Sequence, residues 1–194
     1  MSKFKRYLTL LAIVPLLGFM AVSCAPTVPP TGTVEVHVTD PGHSSNVTSI
    51  NITASAVEIH KAGSEQEQEQ NQSEEQQIVK GEWISLNITD SSFDLIALRE
   101  GGLEQLLAEG NVTAGHYTQI RLTIEKVEVT LNGETKNATV PSGELKFVRP
   151  FDVVEGQTII LTLDFDADQS VTVTGNGEVL VRPVATLNVT MPSE

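Results

Sequence analysis

Residues 117–131 read YTQIRLTIEKVEVTL. Ile120, Leu122 and Ile124 alternate with Gln119, Arg121 and Thr123, and Val127, Val129 and Leu131 continue the alternation after a change of phase. A period of two puts apolar side chains on one face of an extended strand and polar ones on the other. The stretch therefore predicts a long, half-buried β-strand.

The pattern recurs along the chain. In TVEVHVTD (33–40), Val34, Val36 and Val38 oppose Glu35, His37 and Thr39. In TIILTLDFDA (158–167), Ile159, Leu161, Leu163 and Phe165 oppose Ile160, Thr162, Asp164 and Asp166. SVTVTGNGEVLVRPVATLNVT (170–190) reads as two strands around a Gly-Asn-Gly turn. LNGE (131–134) is a hairpin signal, because Asn-Gly tolerates the positive φ of a tight turn, and EGQ (155–157) marks another turn. Helix is scarce: GGLEQLLAEG (101–110) predicts one short helix with Leu103, Leu106 and Leu107 on a face and Gly110 at its end. Eight or nine strands at turn-separated intervals predict an all-β fold, an antiparallel β-sandwich of about 33–191, with a partly open β-barrel as the alternative. Trp83 and Phe93 are expected in its core. Gly115 and Tyr117 predict a turn fastened by a buried ring whose hydroxyl bonds to backbone.

The ends and one insertion follow other rules. MSKFKR is basic, YLTLLAIVPLLGFMAV is apolar, and AVSC precedes APTVPPTG. This order describes a secretory signal over 1–23. Its apolar run of about sixteen residues falls short of the roughly 20 that a membrane span wants. Cys24, the chain's sole cysteine, falls where a lipoprotein signal peptidase leaves a new N-terminus, and AVSC resembles the bacterial lipobox with Ala21 where Leu is commoner. Cys24 is thus the expected lipidation site, and residues 24–32 a Pro-rich tether. Extended at about 3.1 Å per residue, eight such residues reach roughly 25 Å. The segment 63–77, GSEQEQEQNQSEEQQ, cannot bury apolar surface to offset its ordering entropy and is expected to be a solvated, disordered loop.

Charge and motifs bound the function. The chain carries 25 Asp and Glu against 12 Lys and Arg, a net charge of −13. Loss of residues 1–23 removes three positive charges and takes it to −16. That excludes nucleic acid as a partner and excludes charge-driven docking on anionic lipid. No Gly-x-Ser-x-Gly, His-Glu-x-x-His or phosphate-binding glycine loop is present, and His37, His43, His60 and His116 lack ligand spacing. No catalytic residue is assigned and no cofactor is required. DFDAD (164–168) is the best candidate for chemistry, since Asp164, Asp166 and Asp168 on one strand face would suit Ca²⁺. It is not a helix–loop–helix calcium loop, because Gln169 and Gly175 stand where Gly and Glu belong. The plainer reading has these acids bonded to backbone N–H groups or to Arg121 or Arg182.

Seven of the nine Asn residues open Asn-x-Ser/Thr triplets: Asn46, Asn51, Asn71, Asn87, Asn111, Asn137 and Asn188. With 34 Ser and Thr in 194 residues, random placement would give about 1.6. An outward strand face spaces Asn and Thr two apart and accounts for part of the excess. The exceptions, Asn132 and Asn176, both precede Gly in turns. Several of the seven are expected to face outward and to be N-glycosylated.

GTVEVHVTD, DLIALREGG, TAGHYTQIRLTI, VPSGELKF and LTLDFDADQSV occur in that order, and together they resemble the domain-of-unknown-function 4382 family of secreted, mostly lipid-anchored prokaryotic proteins. TDPG at 39–42 departs from the Asp-Ala-Pro more usual there. The resemblance covers nearly the whole of 24–194. It implies a β-sandwich of the prealbumin-like, Ig-like or carboxypeptidase-regulatory-like kind and no established activity. The leading expectation is a non-enzymatic module, lipid-anchored and extracytoplasmic, that binds an envelope protein or glycan or serves a structural role. A ligand- or calcium-binding module at Asp164–Asp168 is the alternative, and a carboxylate-dependent hydrolase the second alternative.

The anchor is directly testable. One acyl chain binds membrane only marginally, so stable tethering needs at least two. Cys24→Ser is expected to shift the protein from the membrane fraction to the soluble fraction. Unchanged retention would mean that something other than Cys24 holds it.

Overall fold

The structure, a computed structural model, describes residues 28–41, 47–63, 80–175 and 178–191. The leader 1–23, Cys24, nearly all of the Glu/Gln segment, His43, Asn46, Asn71 and the tip of the Gly-Asn-Gly turn lie outside the described residues. In chain order the elements are β1 (Thr31–Thr39), β2 (Val47–Lys61), β3 (Glu82–Ser85), β4 (Asn87–Ile88), β5 (Ser92–Asp94), α1 (Leu95–Gly101) and β6 (Gln105–Thr113). There follow β7 (Gly115–Leu131), β8 (Glu134–Asn137), β9 (Glu144–Val153), β10 (Thr158–Asp166), α2 (Ala167–Ser170), β11 (Val171–Val173), β12 (Val179–Val181) and β13 (Val184–Thr190).

One sheet runs β13-β10-β1-β6-β4. The other runs β3-β2-β7-β8, with β5 also on β2 and β9 also on β7, and β11 and β12 form a separate hairpin. Val34, Val36 and Val38 of β1 and Leu161, Leu163 and Phe165 of β10 point inward from the first sheet and are buried. Ile50, Ile52, Leu122 and Val127 do so from the second, and all join one core cluster. Phe93 and Phe165 meet with ring centroids 5.7 Å apart. The fold is the expected all-β sandwich.

The phase change in the opening stretch has a local cause. Thr53 pairs with Lys126 but Ala54 with Ile124, so Glu125 is an extra residue in β7. Ala56 then pairs with Thr123, so Ser55 is an extra residue in β2. Each bulge flips the inside–outside alternation of its strand. Because these two bulges lie back to back on paired strands, Val57 and Ile59 again face inward beside Ile120 and Leu122.

Three expectations are corrected. The strands number thirteen among the described residues rather than eight or nine, because several are only two to four residues long. The sheets are not wholly antiparallel, since β1 and β10 pair in parallel from Thr33↔Thr158 to Thr39↔Asp164. The helix also lies elsewhere. Residues 105–113 form β6, which pairs with β1 and buries Leu107, Ala108 and Val112. The helix is α1, one stretch earlier. Asp94 caps its N-terminus, its carboxylate accepting the N–H groups of Ile96 and of Ile50 in β2, each at 3.0 Å. Gly102, left-handed at φ 57°, closes its C-terminus. Leu95, Ile96 and Leu98 are its buried face.

The turns predicted at 131–134 and 155–157 form as read. Asn132 (φ 52°) and Gly133 (φ 80°) make the two-residue link from β7 to β8. Val154–Gln157 turns between β9 and β10, with the Gln157 N–H donating to Val154 O at 3.1 Å. Tyr117 is fully buried, stacks on Phe151 at 5.4 Å, and donates its hydroxyl to Thr113 O at 2.8 Å. That bond fastens the turn at Gly115 (φ 146°) to the sheet. Burial pushes the phenol pKa up, the Thr113 bond opposes this, and Glu82 adds to the rise. Tyr117→Phe keeps the ring and strands one buried carbonyl. The expected loss is about 1–2 kcal/mol in urea unfolding, with an unchanged denaturant slope. An unmoved midpoint would reduce Tyr117 to a packing residue.

Candidate functional site

Two regions present chemistry. The first is the acidic end of the five-stranded sheet. Asp164 lies on the outer face of β10 between Thr39 of β1 and Thr186 of β13. Its pKa is raised, first by burial and then by the negative charges of Asp40, Asp166 and Glu104. Asp166 ends the strand and caps α2, its carboxylate accepting the Gln169 N–H at 3.0 Å and the Gln169 side-chain amide. Asp168 sits inside α2, 3.4 Å from Arg99 Nη1. Thus Asp164 and Asp166 share a strand face, and Asp168 leaves it. The partners are a backbone N–H, as read, and Arg99 rather than Arg121 or Arg182. Arg99 also donates to the buried Asp40 at 2.9 Å, tying α1 to the end of β1. Among the described residues no group of three or more His, Cys, Asp or Glu side chains is arranged to hold a metal ion.

The described histidines are dispersed. His37 bonds Glu35 at 3.1 Å, His60 bonds Thr118 at 3.0 Å, and His116 bonds Asp152 at 2.7 Å. A depression of about 370 Å³ between β2, β7 and α2 has Asp168 as the one carboxylate in its lining. A two-carboxylate hydrolase needs a pair of acids about 5–9.5 Å apart.

The second region is the outer face of the six-stranded sheet at the β3 end. Phe93 is buried as expected, but Trp83 is not a core residue. It stands in β3 opposite His60, on the side turned away from Ile59 and Ile120. Its ring lies 5.0 Å from that of His60, and the Arg121 guanidinium is 4.2 Å from its centroid. Lys146 Nζ is 5.4 Å from the same centroid. Glu58 accepts two bonds from Arg121, at 2.8 and 2.6 Å, which fixes the guanidinium over the indole. Gln119, opposite His60, has a buried carbonyl oxygen without a hydrogen-bond partner, and Val148 beside it is 77% exposed. The strand pairing in sequence is not local, so Trp83 gave no signal of its side; the polar neighbours Glu82 and Ser85 were the available hint.

Five of the seven Asn-x-Ser/Thr sites are described, and all five sit on outward faces. Asn87, Asn111 and Asn188 share the outer face of the five-stranded sheet with Glu35 and His37. Asn51 and Asn137 flank Glu128 in one row of the other sheet. Asn87, Asn111, Asn137 and Asn188 are exposed, and Asn51 is half-buried and accepts the Ser92 hydroxyl at 2.6 Å.

Residues 31–183 match the family model described as Domain of unknown function (DUF4382), and the chain belongs to that family. No curated protein and no solved structure matches it.

Asp164 offers a test of the acidic end. With a raised pKa, the folded protein holds this proton more tightly than the unfolded chain. The resulting stability is full below the ordinary value of 3.8 and is lost as pH rises through the folded value. At neutral pH the ionised carboxylate is a cost, reduced by solvent screening. Asp164→Asn is expected to raise Tm by about 1–2 °C at pH 7, with the gain disappearing near pH 3. A lower Tm at pH 7 would mean that the charge is used in the fold.

Proposed function

From membership of this family and the placement of Trp83, we propose that the protein is an extracytoplasmic, non-enzymatic binding module, lipid-anchored at Cys24. Its docking face is the outer surface of β3, β2, β7 and β9 around Trp83, and its partner an envelope protein or glycan. The observation that carries this reading is that the chain's only tryptophan lies on the solvent side of a sheet. A large aromatic there, ringed by Arg121, Lys146 and His60, has the composition of a binding hot spot rather than of a core. The acidic end supports chemistry less well, because Asp166 is taken up in capping α2 and Asp40 and Asp168 in holding Arg99.

As the sole tryptophan, Trp83 reports its own surroundings. Titration with solubilised envelope protein or purified envelope glycan is expected to shift and quench its emission. Trp83→Ala should keep Tm within a few degrees and weaken retention on the same immobilised fraction at least about tenfold. Emission indifferent to every envelope fraction, with retention equal in the variant, would overturn the docking face.

A further inference from the structure

The outward Asn-x-Ser/Thr sites differ in strand position as well as exposure. Asn87 lies in β4, the edge strand of its sheet, and Asn188 lies in β13, the opposite edge. Asn111 lies in β6 beyond the end of β4, which pairs only as far as Glu109, so among the described residues no strand pairs with β6 on that side at Asn111. Asn137 is the last residue of β8, which among the described residues pairs with β7 on one side; two residues on, Thr139 bridges to Leu180 of β12. Asn51 is the contrast: β5 pairs it on one side and β7 on the other, and its carboxamide oxygen holds Ser92. The hydroxyl residues of these four sites are Thr89, Thr113, Thr139 and Thr190; Thr89, Thr139 and Thr190 are exposed, and Thr113 is half-buried and accepts the Lys61 ammonium at 2.5 Å.

We infer that Asn87, Asn111, Asn137 and Asn188 are N-glycosylated in the native protein and that Asn51 is not. The donor is a sugar carried on a polyprenyl phosphate or pyrophosphate lipid. The Asn Nδ2 forms a bond to the anomeric carbon, the bond from that carbon to the phosphate oxygen breaks, and the lipid phosphate leaves with the electron pair. One Nδ2 proton passes to a base of the transferase. Each of the four Asn residues, on an edge strand or beyond the end of a neighbouring one, has a strand partner on one side only among the described residues and can be gripped along the other, while Asn51 has both neighbours in place. Exposed edges also pair promiscuously with other chains, and a glycan on β4, β13 and β8 blocks that pairing by bulk. The Trp83 face stays clear: Asn137, the one of the four on that sheet, shares a row with Asn51, which is nine residues from His60 along β2, about 30 Å at strand rise. The inference rests on the export included in the proposed function.

The test is a glycopeptide map of the full chain purified from its own cells, with fractionation of the same cells. Sugar is expected on Asn87, Asn111, Asn137 and Asn188, with Asn51 unmodified. Thr89→Ala, Thr139→Ala, Thr190→Ala and Asn111→Gln should each remove one glycan from the intact mass. The wild-type map does not depend on how any variant folds. Protein in the membrane fraction with all four Asn bare would overturn the inference and leave the tethered module standing. Bare protein in the cytoplasm would overturn both. Asn51 occupied as fully as the edge sites would overturn the edge-strand rule.

Discussion

Burial of every second residue on two facing sheets is the constraint on which the molecule depends. Val34, Val36 and Val38 are wholly buried, and the residues between them face out. With no cysteine among the described residues, this apolar layer does the work that cross-links do in many small secreted domains. A slip of one residue in β1 would turn three valines to solvent and Glu35 and His37 to the core. The register of both neighbours of β1 is therefore fixed by side-chain burial rather than by the backbone bonds, which any register could make.

The paired bulges in β2 and β7 show the same constraint acting locally. Strands of 15 and 17 residues twist too far to stay in one plane of contact with a second sheet. An extra residue in each, Ser55 and Glu125, resets the alternation so that both halves still face inward. The reset also decides the outer surface. It places Glu58, His60, Gln119 and Arg121 together outside, where Trp83 completes the cluster. The candidate docking face is in this sense a by-product of how two long strands keep their core.

Much of this was legible in sequence because alternation is a local signal. β1, β7, β10, the Asn132–Gly133 hairpin and the Tyr117 corner follow from neighbours in the chain. Residues 101–110 read as a helix because Leu103, Leu106 and Leu107 match a helical spacing by coincidence, while pairing with β1 overrides it. The true helix had its own markers, Asp94 before and Gly102 after, around the apolar LIAL. Parallel pairing of β1 with β10 joins residues over 120 positions apart, and no local pattern encodes it. The same holds for Arg99, whose partners Asp40 and Asp168 come from opposite ends of the chain. Asp168 reads as a strand-face residue because the alternation of β10 extrapolates one step past Asp166, where the cap begins.

The position of β1 has a mechanical side. It is the first strand after Val28–Pro30 and lies in the middle of its sheet, between β10 and β6. A pull on the N-terminal segment runs along the strand axis. Its hydrogen bonds to the two flanking strands are then loaded together in shear rather than opened one by one from an end. Forced unfolding is governed by the barrier to the first rupture, and shear loading makes that rupture a collective event. A domain held by its N-terminus and loaded on the Trp83 face would transmit tension through the middle strand of its sheet, so the same central placement that protects the core would also serve as a clamp against drag.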